Sequence, residues 1–400
     1  MKCIQIHNDY LVPGGETTSA KLIANEMEKN GIEVIRYYKN NDEIISNNRI
    51  YSKLAYGVKS IFNFSIIKEV NKIVKEKDID FAIVHNTSPI ISNSIYYVLH
   101  KNNIPILKYV QNYNLLCLNG SKNQGENICN KCITGTNAIG IKQKCYKESY
   151  AYTMLKFINK KIFEKYFESK ITKYIAISNF VKDEHLKYGV VKEKFEVLYH
   201  FIENIKPHEK LDAELNSQEK YFLFMGRLSE EKGIRLLLET FSMHKDKKLR
   251  IIGEGPMKEE LKEFISKNQC HNIEYLGFKK GKEKEKLVEN SVCLLVPSDW
   301  DEPFGRIVIE SYSLGTPVIA SDRGGLGELV EEGTTGYKFN SKNAKEFSLK
   351  IDKMWRKEPQ EYLKMRENCI EKCNEEFSDK VYINKLKKLI DPLKKEKVYE

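Results

Sequence analysis

Short runs of apolar, β-branched and aromatic residues alternate with longer stretches of helical period along this chain. That alternation is the pattern of parallel strands covered by helices on both faces. In the first half, positions 3–7, 33–37, 80–85, 105–110, 174–178 and 196–199 are predicted as strands. A polar stretch containing Pro207 then lacks any sustained apolar period, and a second series of strands follows at 221–225, 249–252, 273–275, 292–296 and 317–320. The pattern predicts an N-terminal Rossmann-like domain over 1–203, a linker over 204–219 and a C-terminal Rossmann-like domain over 220–400. A helical tail over 343–395 is longer than a compact second domain needs, so its last helices are expected to pack back on the first domain.

Composition supports this division. The 400 residues exceed what one hydrophobic core organises. With 41% hydrophobic and 30% charged residues, the balance is that of a globular protein. The net charge of +10 permits attraction to anionic membranes, nucleic acid or phosphorylated substrates but selects none of them. Nucleic acid is set aside because no recognised reading module or concentrated basic helix is present. The opening Met1-Lys2-Cys3-Ile4-Gln5-Ile6-His7 reads as a first strand rather than a signal segment. No run approaches the roughly eighteen apolar residues of a membrane span. The expected location is the cytoplasm, with peripheral contact at the inner face of the membrane as a further expectation.

The strongest chemical signal is Asp301-Glu302-Pro303-Phe304-Gly305-Arg306-Ile307-Val308-Ile309-Glu310, which follows an apolar strand and opens a helix. It sets Glu302 in a turn and Glu310 about two helical turns on, near the same face. Such carboxylates can accept hydroxyls of a sugar ring and a ribose, and free N–H groups at Phe304, Gly305 and Arg306 can meet hydroxyl or phosphate oxygens. A second signal is Gly226-Arg227 followed by Lys232-Gly233 after a strand. Two cations above the C-terminal end of a strand in an open sheet are placed to neutralise a diphosphate. Further glycine turns lie at Gly14-Gly15, Gly253-Glu254-Gly255-Pro256 and Gly324-Gly325-Leu326-Gly327. Each reads singly as a tight turn. Their recurrence in both halves favours an anion-binding cleft between two such domains.

Taken in order, these motifs resemble glycosyltransferase family 4, of the GT-B fold, in which two Rossmann-like domains face each other across a cleft. The resemblance runs from the Gly14-Gly15 loop to the segment Gly315-Thr316-Pro317 through Gly324-Gly325. It implies that Arg227 and Lys232 hold the diphosphate of a UDP- or GDP-sugar, that Glu310 takes the ribose hydroxyls, and that Glu302 takes the transferred sugar. Gly253 belongs to the donor side, the backbone at Phe304, Gly305 and Arg306 touches the sugar, and Gly15 approaches the phosphates. It further implies retention of anomeric configuration by a front-face displacement, with the leaving phosphate assisting deprotonation of the acceptor and no cofactor needed for catalysis. The acceptor would be a glycan or lipid-linked group of a bacterial surface polysaccharide or glycolipid.

The chain departs from the family pattern at Tyr109-Val110-Gln111-Asn112, where members often carry His and this sequence has Gln111. Gln can hold a hydroxyl but cannot exchange a proton near neutral pH. His85, Gln111 and Asn112 are assigned to the acceptor side, with a structural role the other reading for His85. Cys117, Cys129, Cys132 and Cys145 fall in a glycine-bearing insert of about 115–147 and carry one CxxC pair. Four thiolates suit a structural zinc; free or redox-active thiols are the other reading. The stretch 150–174 interleaves aromatics with lysines, which reads either as a solvated helix face or as a membrane-surface helix. Two competing functions remain: a nucleotide-sugar epimerase on a similar scaffold, and a non-catalytic binding protein on a degenerate one.

Overall fold

The structure, a computed structural model, describes residues 1–9, 14–40, 59–124, 127–187, 189, 192–203, 205 and 219–393. Nearly all of the expected linker, 204 and 206–218, lies outside the described residues. The chain forms two compact units. One consists of Met1–Gln124, Cys129–Leu198 and the chain from Tyr382 onward; the other is essentially Tyr199–Val381.

The sheet of the first unit has strands β1 (Lys2–Asn8), β2 (Glu33–Lys39), β3 (Phe81–Val84), β4 (Ile106–Val110), β5 (Lys173–Ala176) and β6 (Phe195–Val197). They lie in the order β2-β1-β3-β4-β5-β6, all parallel. Strand β3, Phe-Ala-Ile-Val, is buried at every position. A continuous apolar run of this kind is what a strand covered on both faces requires. The order reverses between β1 and β3, so the loops that leave their C-terminal ends diverge and open a crevice there. The stretch 150–174 is not one helix. Helix Tyr150–Ile162 gives way to a π turn at Phe163–Phe167 and a 3-10 turn at Glu168–Lys170, and Lys173 with Tyr174 enters β5.

The second unit holds β7 (Tyr221–Met225), β8 (Lys248–Ile252), β9 (Ile273–Gly277), β10 (Cys293–Val296), β11 (Val318–Ser321) and β12 (Gly336–Phe339). Their order is β9-β8-β7-β10-β11-β12, again all parallel. That is the Rossmann order, with its reversal between β7 and β10. Phe222, Phe224, Leu249, Ile251, Leu295 and Ile319 form the sheet side of the core, closed by Leu237, Phe241, Phe347 and Ile351. Three helices follow this sheet: Ala344–Trp355, Pro359–Glu376 and Asp379–Ile390. In the last of these, the Tyr382 hydroxyl bonds that of Tyr109 inside the first unit. Cys369 and Cys373, which have no evident partner in sequence, are core residues of Pro359–Glu376. Among the described residues, no helix is long and apolar enough to cross a membrane.

Candidate functional site

In the second unit the predicted donor residues stand in the segments that follow β7, β8 and β10, on either side of the strand-order reversal. Glycines let these loops meet. Gly253, at φ 142°, would place a Cβ 1.8 Å from the Gly226 carbonyl oxygen, and Gly255 would place one 2.3 Å from that of Leu228. The loop after β8 therefore lies flat on the loop after β7, pinned by Leu228 N–H donating to the Glu254 carbonyl at 2.9 Å. Gly233, at φ 74°, abuts the Pro297 carbonyl, and Asp299 N–H donates to the Glu231 carbonyl at 2.8 Å. These contacts draw the loop after β7 onto the loop after β10. They account for the glycines through packing of backbone on backbone.

The consequence is an ion pair: the Lys232 ammonium donates to Glu302 Oε1. The same oxygen accepts from the Ser298 hydroxyl at 2.8 Å, and the ammonium sits 5.4 Å from the Trp300 ring centroid. Burial works against ionisation of Glu302, but the Lys232 charge and the hydrogen bonds from Lys232 and Ser298 outweigh it and hold the carboxyl below its ordinary value. Arg227 is exposed, and among the described residues it makes no ion pair. Sequence reasoning found Lys232 and Glu302 singly but not their pairing, and it missed Ser298 and Trp300.

Glu310 lies on helix Arg306–Tyr312, which starts after Gly305 at φ 110°. Its two oxygens are held apart by two cations, Arg306 Nε at 3.2 Å and Lys284 Nζ at 3.0 Å. Lys284 carried no sequence signal, being one lysine among many on a charged helix. Phe304 is buried and anchors the loop through Tyr199, His200 and Phe377, with ring centroids at 5.8, 5.2 and 6.2 Å. Its side chain is therefore a packing element, and only its backbone remains for a ligand. His200, edge-on to Phe304, is pushed down to about 3 by burial and, to a smaller degree, by the Arg306 charge.

In the first unit, Gly15 opens helix Gly15–Lys29, and a Cβ there would meet nothing within 4 Å among the described residues. Packing does not demand this glycine. His85 follows β3, fully buried between two amides: Gln5 Nε2 stands 3.0 Å from its Nε2, and the Gln111 amide 2.9 Å from its Nδ1. Gln5 is fixed in orientation, since its oxygen accepts from Tyr38 and its NH₂ donates to the Ala20 carbonyl. It must therefore donate to His85 Nε2, which leaves the ring proton on Nδ1. Gln111 Nε2 stands beside Nδ1 and its oxygen is without a partner among the described residues, so Gln111 accepts that proton with its amide turned to exchange the two atoms, the assignment hydrogen-bond chemistry requires. Gln5, His85 and Gln111 form one buried hydrogen-bonded chain. Asn112 donates to Glu16 Oε2 at 3.1 Å.

The four insert cysteines share one neighbourhood. Cys132 Sγ lies 2.9 Å from where a Gly140 Cβ would stand, Cys145 N–H donates to the Gly140 carbonyl at 3.1 Å, and the Cys117 thiol donates to Asn119 Oδ1 at 3.0 Å. Burial, then the neighbouring sulfurs, raise the Cys132 and Cys145 thiols. Among the described residues, no three His, Cys, Asp or Glu side chains are grouped to hold a metal ion.

Residues 206–375 match the family model of glycosyl transferases group 1. Among curated proteins, the chain is 29% identical over 195 residues to an uncharacterized glycosyltransferase of Methanocaldococcus jannaschii, covering 45% of this chain and 50% of that protein. It is 25% identical over 334 residues to a 42.6 kDa protein of the cps region of Klebsiella pneumoniae, covering 82% of each. The alignments thus span half of the archaeal relative and most of the Klebsiella one. Among solved structures, Anabaena HepE in complex with UDP and glucose superposes with a TM-score of 0.67 at 16% identity, over 98% of this chain and 100% of that one. The shared architecture is the GT-B class of two Rossmann-like α/β units expected from the sequence.

Proposed function

We propose that this protein is a retaining glycosyltransferase that moves a hexose from a nucleotide diphosphate sugar to a glycan or lipid-linked acceptor of a bacterial surface polysaccharide. The observation that carries the reading is the Lys232–Glu302 pair at the strand-order reversal of the second unit, with the exposed Arg227 on the same loop. An ammonium has three donors, so Lys232 keeps two for a diphosphate while it holds Glu302. As the sugar–phosphate bond breaks, the leaving diphosphate gains negative charge. Fixed cations beside it then stabilise the transition state more than the bound substrate. Glu302, kept ionised by Lys232, offers negative charge to the developing oxocarbenium-like sugar. Glu310, steadied by Arg306 and Lys284, has lone pairs left for two ribose hydroxyls. His85 and Gln111 hold the acceptor side without proton exchange by Gln111, in keeping with deprotonation of the acceptor by the leaving phosphate.

The cps-region relative and the UDP bound by HepE support a polysaccharide role and a UDP-type donor. The test is thermal stabilisation by a panel of UDP- and GDP-sugars, repeated with Arg227→Ala and Glu310→Ala. One preferred donor is expected, with its effect reduced by both substitutions. Stabilisation untouched by either would refute the assignment.

A further inference from the structure

The first unit contains a pocket beyond the C-terminal ends of β3 and β4, whose lining includes Asn86, Ser88, Lys108, Lys156 and Asn159. Its charge is unbalanced. Lys156 Nζ donates to the Ser88 hydroxyl at 3.2 Å and faces the Tyr146 ring at 4.8 Å, and among the described residues it has no carboxylate partner. The charge nearest to it in effect is another cation, Lys147. Lys108 donates to the His85 backbone carbonyl. Among the described residues Glu16 is the single acid in the lining, already bonded by Asn112, and Lys160 is neutralised by Glu164. Enclosure lowers both Lys108 and Lys156 to about 8, the direction expected of an ammonium that protein surrounds without a counter-ion. At Lys108 the Glu16 charge opposes the shift, while at Lys156 the Lys147 charge adds to it. One turn along the helix from Lys156, Asn159 is nine-tenths buried, and among the described residues its side-chain oxygen has no hydrogen-bond partner.

An ammonium without a counter-ion and a buried amide oxygen without a donor are both costly unless a ligand completes them. We propose that this pocket receives the anionic, hydroxyl-bearing end of the acceptor, a uronate or a phosphorylated sugar, with Lys156 meeting the charge and Asn159 a neighbouring hydroxyl. The proposal rests on the glycosyltransferase reading for the word acceptor, but binding at this pocket is measurable without turnover. It deepens that reading by giving the acceptor class a charge.

Calorimetric titration of the full chain with methyl glucuronide, glucose 1-phosphate and the neutral methyl glucoside tests it. At least one anion is expected to bind about tenfold or more tightly than the glucoside, a preference that Lys156→Gln removes and Lys156→Arg largely keeps. Asn159→Ala should weaken the preferred ligand several-fold. Preference for glucuronide identifies a carboxylate source and preference for the phosphate a phosphorylated one; either supports the proposal. Equal affinity for charged and neutral sugars, no binding of any of the three, or a preference unmoved by Lys156→Gln overturns it. Donor-induced thermal stabilisation, read on the same variants, is expected to be unchanged. Its absence in the unsubstituted protein would count against the enzymatic reading and not against this pocket.

Discussion

Lys232 and Glu302, seventy positions apart in the chain, meet as an ion pair at the ends of adjacent strands, with the carboxylate 8% exposed. On the proposed function, the pair links stability to turnover. Breaking a buried pair from one side costs about 3–5 kcal/mol, and with the Lys232 side chain one quarter exposed the expected loss for Lys232→Ala is nearer to about 2 kcal/mol. Glu302→Gln, which leaves a hydrogen-bonding isostere beside a lysine that reaches water, should cost less. Both should lower turnover by on the order of 10²–10³. Denaturant unfolding with a double-mutant cycle, alongside single-turnover kinetics, checks this. Additive effects on stability would show that the two side chains do not act as a pair.

The glycines of the motifs divide into two kinds, with opposite expectations. Gly253→Ala puts a Cβ against the Gly226 carbonyl at a backbone angle side chains avoid, so it should destabilise by about 2 kcal/mol or more. Gly15→Ala meets open space and should change stability by under about 1 kcal/mol. If Gly15 approaches the donor phosphates, its alanine variant should nevertheless lose activity. Melting temperatures set beside kcat/KM for the two variants separate these roles, and a fully active Gly15→Ala would remove Gly15 from the donor side.

Much of this arrangement was legible in the sequence because it depends on local pattern. Strands such as Phe81–Val84 and Cys293–Val296 are uninterrupted apolar runs, and the turns after them carry the glycines and charges. Strand Gly336–Phe339 was missed. It has four residues, begins with glycine and follows a polar turn, so no period develops. What pattern cannot supply is partnership. Lys156 reads as one more lysine of a solvated helix face, and only the fold brings Ser88 and the Tyr146 ring to it. In the same way Gln111 reads as a lost histidine, while in the fold its amide pairs with His85 Nδ1, and hydrogen-bond chemistry assigns it the ring proton.

That last relation is testable. Gln111→Leu removes the acceptor and leaves a buried N–H unpaired, at an expected cost of about 1–3 kcal/mol. Gln111→Glu keeps an acceptor for the same proton and should be milder. Tautomer-sensitive ¹⁵N spectra of His85 should report the proton on Nδ1 in the parent protein. A spectrum with the proton on Nε2 would reverse the direction of the whole Gln5–His85–Gln111 chain.

Buried histidines weaken the fold in acid, and at two of them the shift is large. Burial pushes His185 down to about 4 and His200 down to about 3, each against an ordinary value of 6.5. The unfolded chain therefore binds more protons than the folded one below pH 6.5, and stability, fully present above that pH, is lost as pH falls toward the folded values. Each histidine should contribute a slope of up to about 1.4 kcal/mol per pH unit in that window. Urea unfolding at intervals from pH 7.5 to 4 should show the decline, and His200→Gln, a neutral replacement beside Phe304, should flatten it even if it lowers stability at pH 7.5. An unchanged slope in that variant would mean that His200 takes up its proton in the folded protein as readily as in the unfolded chain, and that its enclosure beside Phe304 and Arg306 does not oppose the charge.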